Sequence, residues 1–388
     1  GWADSPNEIK LPWHKEMADC LRRIDPFGHL ITTSFCGHTG PEEFWSLENI
    51  DIVQTHCYTN NDGNVAEPVR RFCLHQWERF QKPHIFGEFG IRSHTTTADK
   101  DPQGWAIHNS LWAGLFSFSA GGPMPWWHEQ YIDKLDLYFH FTALANFTRE
   151  LPLGTARWQP LATAAPEFVD KDRTPEIRDA VVVPINRWGK PEQDEFTILP
   201  DGTVADGRAP QRLLHGAGHR DLKNPSTFVV NYPRQGRFVV HVDKVSHSGL
   251  LRIWIDGDLA LQRELPCAEG LGKASVWRAQ WRLWETTYDE DIAIGVPAGE
   301  HRIRIENSGK DWVAVNKYTF TGCRIVDRPD VLVCGMKTGE LAMLWLQNRS
   351  SSWYNHAGGG PVGRLDPFEL TAKGLGDGKH RLEWWETW

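Results

Sequence analysis

The sequence predicts an α/β region followed by an all-β region. Three observations carry this. Residues 1–150 alternate helix-like and strand-like segments several times over. From about Leu151 the helical periodicity stops, and short alternating strands separated by turn residues take its place. The chain has 388 residues, of which 40% are hydrophobic and 24% charged, which is too long for one ordinary domain and apolar enough to bury a sizeable core.

Residues 1–11 are polar and read as a loop. Trp13, Met17, Cys20, Leu21 and Ile24 then recur at helical spacing, and Asp25-Pro26-Phe27-Gly28 ends that helix. His29–Phe35 is a β-rich run, and residues 41–49 are helix-like. Asp51–Tyr58 is the next strand, residues 68–80 a helix, and Pro83–Gly90 a short apolar strand. Residues 103–115 are again helical, 116–127 form an apolar strand with a glycine-rich exit, and 131–150 form a last helix. Repeated βα units imply a parallel sheet, either closed into a (β/α)8 barrel or opened into a doubly wound sheet. Four such units leave an unpaired inner edge.

Residues 151–180 read as a linker. Strands are expected at 227–232, 237–244, 250–255, 291–296, 301–306 and 313–320, with turns at Pro233–Gly236, Asp256-Gly257, Pro297–Gly299 and Asn307–Gly309. This is the pattern of an antiparallel β-sandwich of the jelly-roll kind over 181–326. Residues 327–388 read as a further small β-domain, possessing strands at 341–347 and 380–385 and ending abruptly.

The net charge is −8 and the basic residues are dispersed, which excludes a nucleic-acid footprint. No apolar run reaches the roughly 18 residues of a membrane span, and no signal peptide is visible. The chain begins at Gly1, so an upstream segment is expected to have been removed or left unrecorded. Seven cysteines without a C-x-x-C pair read as free buried thiols with at most one or two bridges. The 20 tryptophans are the compositional anomaly. Exposed indoles stack on the C–H faces of sugars, although many must be core.

The stretch Pro83-His84-Ile85-Phe86-Gly87-Glu88-Phe89-Gly90 holds a single carboxylate between glycines, at the C-terminal end of a buried strand. In a parallel barrel the chemistry sits at that edge, so Glu88 reads as catalytic. The alternative is a solvated loop residue or half of an ion pair.

Residues 1–150 resemble the second half of a clan A glycoside hydrolase barrel in the style of family five. Three strand ends carry the resemblance in order: His56-Cys57-Tyr58, Gly87-Glu88-Phe89-Gly90, and Trp126-Trp127. It implies a (β/α)8 TIM barrel of which strands five to eight are present. It implies that Glu88 is the nucleophile of a retaining β-glycosidase, that Tyr58 donates a hydrogen bond to it, and that His56 contacts the sugar or orients the acid. Trp126 or Trp127 would floor the sugar subsite. The family's acid/base is the glutamate of an Asn-Glu pair ending strand four. Here only Asn7-Glu8 offers one, in a setting that is not strand-like. Glu8 is therefore a weak candidate, read equally as a helix N-terminal residue, and the true acid/base is expected upstream of residue 1.

The resemblance implies hydrolysis of a β-linked polysaccharide or oligosaccharide of β-mannan or β-glucan type, without a cofactor or metal, in an extracellular or periplasmic protein. A non-catalytic carbohydrate-binding protein is the alternative. His84 and Glu88 are too far apart along a strand to share one ion easily. Asp289, Glu290 and Asp291 could hold calcium but read first as a solvated turn. Trp277, Trp281 and Trp284 could form a sugar platform, with packing the other reading. Asn146-Phe147-Thr148 and Asn348-Arg349-Ser350 fit the glycosylation triplet.

Overall fold

The structure is a computed structural model that describes residues 5–37, 40–59, 63–93, 95–185, 188–191, 193–205 and 207–388. It divides into two compact units, residues 1–170 with 329–388, and residues 171–328.

The first unit opens with helix α1 (Asn7–Ile24), followed by β1 (Thr32–Phe35), α2 (Glu42–Trp45), β2 (Ile52–Tyr58), α3 (Ala66–Phe80), β3 (His84–Gly90) and α4 (Trp105–Leu115). Strands β1, β2 and β3 lie side by side in that order, all parallel. The expected strand over 116–127 is not regular. It runs parallel to β3 through two isolated bridges, His84 with Ser119 and Phe89 with Pro125. The glycine-rich stretch bows away between them, and backbone bonds from Ala120 and Met124 N–H to His84 and Phe86 carbonyls hold its ends.

No closed barrel forms among the described residues, which corrects the barrel expectation to a small parallel sheet. Four βα units cannot encircle an eight-strand cylinder. Helix α1 starts at Asn7, earlier than the loop expected over 1–11, and includes Pro12. Its Ile9, Trp13, Leu21 and Ile24 are exposed.

Local bonds fix the sheet's approach to the site. Lys82, just before β3, donates to the carbonyls of Trp45, Leu47 and Ile50 at 2.7, 2.8 and 2.7 Å. Buried Asp101 accepts the N–H groups of Trp105 and Ala106 at 2.9 and 2.8 Å, satisfying orphan donors of α4. The Tyr131 hydroxyl donates to the same carboxyl at 2.7 Å, and burial pushes its pKa up. The expected helix over 131–150 is split into a π-type turn at His128–Asp133 and helix α5 (Phe139–Thr148). The expected linker then contains two short strands, β4 (Gln159–Pro160) and β5 (Glu167–Phe168).

The second unit is a β-sandwich. One sheet orders β13 (Ala274–Arg278), β14 (Leu283–Val296), β10 (Gly236–Ser246), β16 (Trp312–Val326) and β6 (Glu176–Val182), with β8 (Leu213–His215) also on β16. The other orders β12 (Asp258–Pro266), β11 (Ser248–Ile255), β15 (Gly299–Asn307), β9 (Ser226–Tyr232) and β7 (Glu195–Ile198). All pairings are antiparallel except β7 with β9. Along the strands apolar inward residues alternate with outward ones, and the two inner faces share one core, in which the rings of Phe228, Phe238, Tyr318 and Phe320 meet. First and last strands are neighbours: Glu176 pairs with Val326.

After Arg328 the chain returns to the first unit with the hairpin β17 (Val331–Lys337) and β18 (Ala342–Asn348), and later β19 (Phe368–Glu369). β17 pairs with β4, and β19 with β5. Leu332, Cys334, Met336, Trp345 and Trp353 share a core with Cys57, Phe86, Phe89, Trp112 and Phe116. Residues 327–388 are expected as a separate small domain, but 329–388 complete the α/β unit, because the hairpin's apolar face has its burial partner there. The strand expected at 380–385 is absent, since no neighbour pairs with it; Leu382, Trp384 and Trp385 are exposed.

Candidate active site

β2 and β3 end side by side, in the register His56 to Glu88, Cys57 to Phe89 and Tyr58 to Gly90. The register slips between Thr55 and His56, so Gly87 is an extra residue on β3. Such a bulge re-aims the side chain that follows it. A Cβ at Gly87 would lie 2.3 Å from the Gln54 amide nitrogen, so glycine lets the strands stay close there. His56 and Tyr58 share a face at alternate positions, and both reach Glu88.

The Tyr58 hydroxyl donates to Glu88 Oε2 at 2.8 Å. His56 Nδ1 stands 3.4 Å from the same oxygen, and its Nε2 lies 2.7 Å from Ser34 Oγ at the end of β1. The tautomer with hydrogen on Nδ1 and Ser34 donating to Nε2 serves both contacts. Glu88 Oε1 has no hydrogen-bond partner among the described residues, so one carboxylate oxygen is held and the other is unengaged. Burial, the bond to Glu88 and its negative charge all push the Tyr58 pKa far up, which keeps the phenol a donor. Opposite Tyr58, a Cβ on Gly90 would sit 3.0 and 3.2 Å from the ring.

Trp126 continues the site. Its N–H bonds to the Phe89 carbonyl at 2.9 Å, next to Glu88, and its side chain is 52% exposed. Trp127 points elsewhere: its indole N–H donates to the Arg92 carbonyl at 2.9 Å, and it packs on the cluster around Ile107, Leu111 and Tyr131. Of the two tryptophans, Trp126 is the one with an available face. Glu8 lies in the exposed first turn of α1 and makes none of the polar contacts of Glu88.

The other sequence candidates have local partners. His84 is fully buried and lies 2.9 Å from Thr55 Oγ1. Among the described residues no group of three or more His, Cys, Asp or Glu is arranged to hold a metal ion. Asp289 pairs with Lys273 at 2.6 Å and His241 at 3.0 Å, and Asp291 pairs with His241 at 2.8 Å. All seven thiols are free. Trp277 and Trp281, offered as packing or platform residues, are exposed on the β13–β14 hairpin. The Asn348 side chain donates to the Gly363 carbonyl at 2.6 Å. No helix among the described residues is long and apolar enough to cross a membrane.

The sequence reading missed Ser34 and Gly90. Ser34 is one residue before the end of the expected strand, and its partnership with His56 depends on the β1–β2 register, which pairs Ser34 with Gln54. Gly90 was visible as part of the motif, but its role appears only across the strand.

No family model and no curated protein matches the chain. Among solved structures it is similar to a Bacteroides uniformis β-glucuronidase 2 covalently bound to cyclophellitol-6-carboxylate aziridine, at 12% identity over 81% of this chain and 50% of that one, TM-score 0.29. It is also similar to a Paenibacillus sp. cycloisomaltooligosaccharide glucanotransferase, at 10% identity over 79% of this chain and 30% of that one, TM-score 0.20. A family 35 carbohydrate-binding module from Cellvibrio japonicus Abf62 matches at 12% identity over 43% of this chain and 98% of that one, TM-score 0.19. The chain spans half or less of the two enzymes' lengths. These are distant likenesses to carbohydrate-active proteins, and at such scores they assign no role to any residue.

Proposed function

We propose that the chain carries the nucleophile side of a retaining β-glycoside hydrolase acting on a β-linked polysaccharide or oligosaccharide of β-mannan or β-glucan type. One observation carries the reading: Tyr58 holds one oxygen of Glu88 at 2.8 Å, at the C-terminal ends of adjacent parallel strands. In the first step Glu88 Oε1 attacks the anomeric carbon while the leaving oxygen takes a proton from a second carboxylic acid. Water then attacks the glycosyl ester, giving up a proton to that second group, and Glu88 is released. Tyr58 and His56 keep the nucleophile oriented, and the exposed face of Trp126 supports the sugar ring. A polymeric glycan substrate places the protein outside the cytoplasm or in the periplasm.

Replacing Glu88 with Gln tests this. Hydrolysis of aryl β-glycosides by the full chain is expected to fall by at least ~10³-fold, since covalent catalysis needs the carboxylate. Azide added to a Glu88→Ala variant is expected to restore turnover and give a glycosyl azide. Unchanged hydrolysis in Glu88→Gln would remove the assignment.

A second reading, carbohydrate binding without catalysis, is favoured by the polar contacts around Glu88, none of which among the described residues involves another carboxylate. It predicts oligosaccharide binding by the wild-type chain with no hydrolysis.

A further inference from the structure

An open pocket of about 520 Å³ lies in the first unit, apart from Glu88. Gln103, Trp105, Leu135, Leu137, Phe139 and Trp388 line it. Topology fixes its place. Ser119 bridges to His84 at the start of β3, and Pro125 bridges to Phe89 near its end. Helix α4, which lies between Gly90 and Ser119 in sequence, therefore runs back from the C-terminal end of β3. Its first turn, with Gln103 and Trp105, stands at that end. Trp126 is at the same end, and little more than the π-type turn separates it from Leu135, Leu137 and Phe139. Trp127 packs on the same apolar cluster as Leu135 and Leu137. The pocket thus stands on the rim that carries Glu88.

Its rings are fixed from behind. Trp388 lies on His108, with centroids 4.4 Å apart and planes 14° from parallel, and the Thr387 hydroxyl is 3.0 Å from His108 Nε2. Trp105 and His140 meet Trp388 at 60° and 69°, as walls rather than as a lid. Among the described residues no ring covers the second face of Trp388, and the residue is 43% exposed. Phe139 lies beside it, 6.5 Å between centroids and inclined by 35°, and is 44% exposed. Trp105 is backed by His356 at 3.5 Å and 5°, and its indole N–H donates to Gln103 Oε1 at 3.1 Å. Rings locked in this way lose little freedom when a ligand settles on them.

We propose that this pocket is a distal saccharide subsite, in which the C–H face of a neutral sugar lies on Trp388 and Phe139 and a hydroxyl meets the Gln103 amide. No charged side chain lines the pocket, although 24% of the chain is charged. Neither an anion nor a cation finds a counter-charge there. Aromatic faces suit the apolar face of a pyranose. The Gln103 Nε2 group donates to nothing among the described residues, since Trp105 engages only Oε1. It is a donor available to a hydroxyl. The inference rests on the glycan reading of Glu88 and deepens it: a pocket on the same rim takes a further unit of the same polymer, so long chains are preferred over short glycosides.

Two measurements on the full chain test this. The first is affinity electrophoresis in a Glu88→Gln background, through gels containing galactomannan, mixed-linkage β-glucan or xylan. At least one polymer is expected to retard the chain, and Phe139→Ala and Trp388→Ala are each expected to raise the apparent dissociation constant about tenfold, the loss of one aromatic face. The second is hydrolysis with Glu88 intact, where each variant is expected to raise KM for that polymer and not for aryl β-glycosides. Retardation by no polymer, or retardation untouched by Phe139→Ala, overturns the proposal. Equal rises in KM for polymer and aryl glycoside also overturn it, as does a wild-type dimer that Phe139→Ala converts to monomer, which would assign the pocket to a second copy. If Trp388→Ala fails to fold, Phe139→Ala decides alone. Absence of hydrolysis by the wild-type chain, with Phe139-dependent retardation intact, would remove the reading of Glu88 and leave the saccharide pocket standing.

Discussion

Tyr58 and Gly90 face each other across β2 and β3, and the tyrosine ring occupies the space where a side chain at 90 would begin. The glycine of the motif therefore serves the phenol that holds Glu88. A Gly90→Ala substitution adds a methyl 3.0 Å from the ring, closer than ordinary van der Waals contact. Tyr58 must move by a few tenths of an ångström. We expect kcat to fall about tenfold, since small misplacements at a reacting group are costly, with little change in KM; wild-type kcat would contradict it.

Tyr58→Phe removes the bond to Glu88 and keeps the ring. A hydrogen bond to a charged group contributes about 1.5–3 kcal/mol, so kcat should fall about 10- to 100-fold. Steady-state rates on aryl β-glycosides read the effect.

Trp126 and Trp127 should separate cleanly. Trp126→Ala removes an exposed face, and we expect weaker oligosaccharide binding, about tenfold in KM, with an unchanged melting temperature. Trp127→Ala removes a half-buried ring and its bond to the Arg92 carbonyl. It should lower stability by about 2–4 kcal/mol, a little under the range for truncating a fully packed aromatic because the ring is only half-buried. Thermal melts and Michaelis constants on the two variants check the division.

Acid should loosen the first unit before it protonates many carboxylates. Burial lowers the pKa of His84 to about 4 and is the largest cause lowering that of His108 to about 4. Both are neutral when folded and bind protons more readily when unfolded, near pH 6.5. Their contribution is complete above pH 6.5 and is lost as the pH falls from 6.5 towards 4. Melting temperature should decline over that window, and His84→Gln should flatten the decline; an identical slope in that variant would contradict the assignment.

The strand ends of the site were legible because each strand is a short apolar run closed by turn residues, and Glu88 stands alone in its run. The bulge at Gly87 was not legible, nor was the pairing of Ser34 with His56, because both depend on register between strands distant in sequence. The same limit explains the C-terminal region. Leu382, Trp384 and Trp385 look like a strand by composition, yet among the described residues no strand pairs with them. Residues 327–388 look like an independent β-domain, yet the buried side chains of Val331–Lys337 belong to the core of Phe86 and Trp112. Periodicity reports which residues want burial and is silent on which surface buries them.

The sandwich interrupts the α/β unit in sequence, entering and leaving by the paired strands β6 and β16. During vectorial synthesis the ribosome must therefore emit all of Lys171–Arg328 before Leu332, Cys334 and Trp345 can seal the hydrophobic interior around Phe86 and Phe89. The inserted module can mature first as a unit of its own, while the nascent parallel sheet waits half-covered, a natural client for a chaperone.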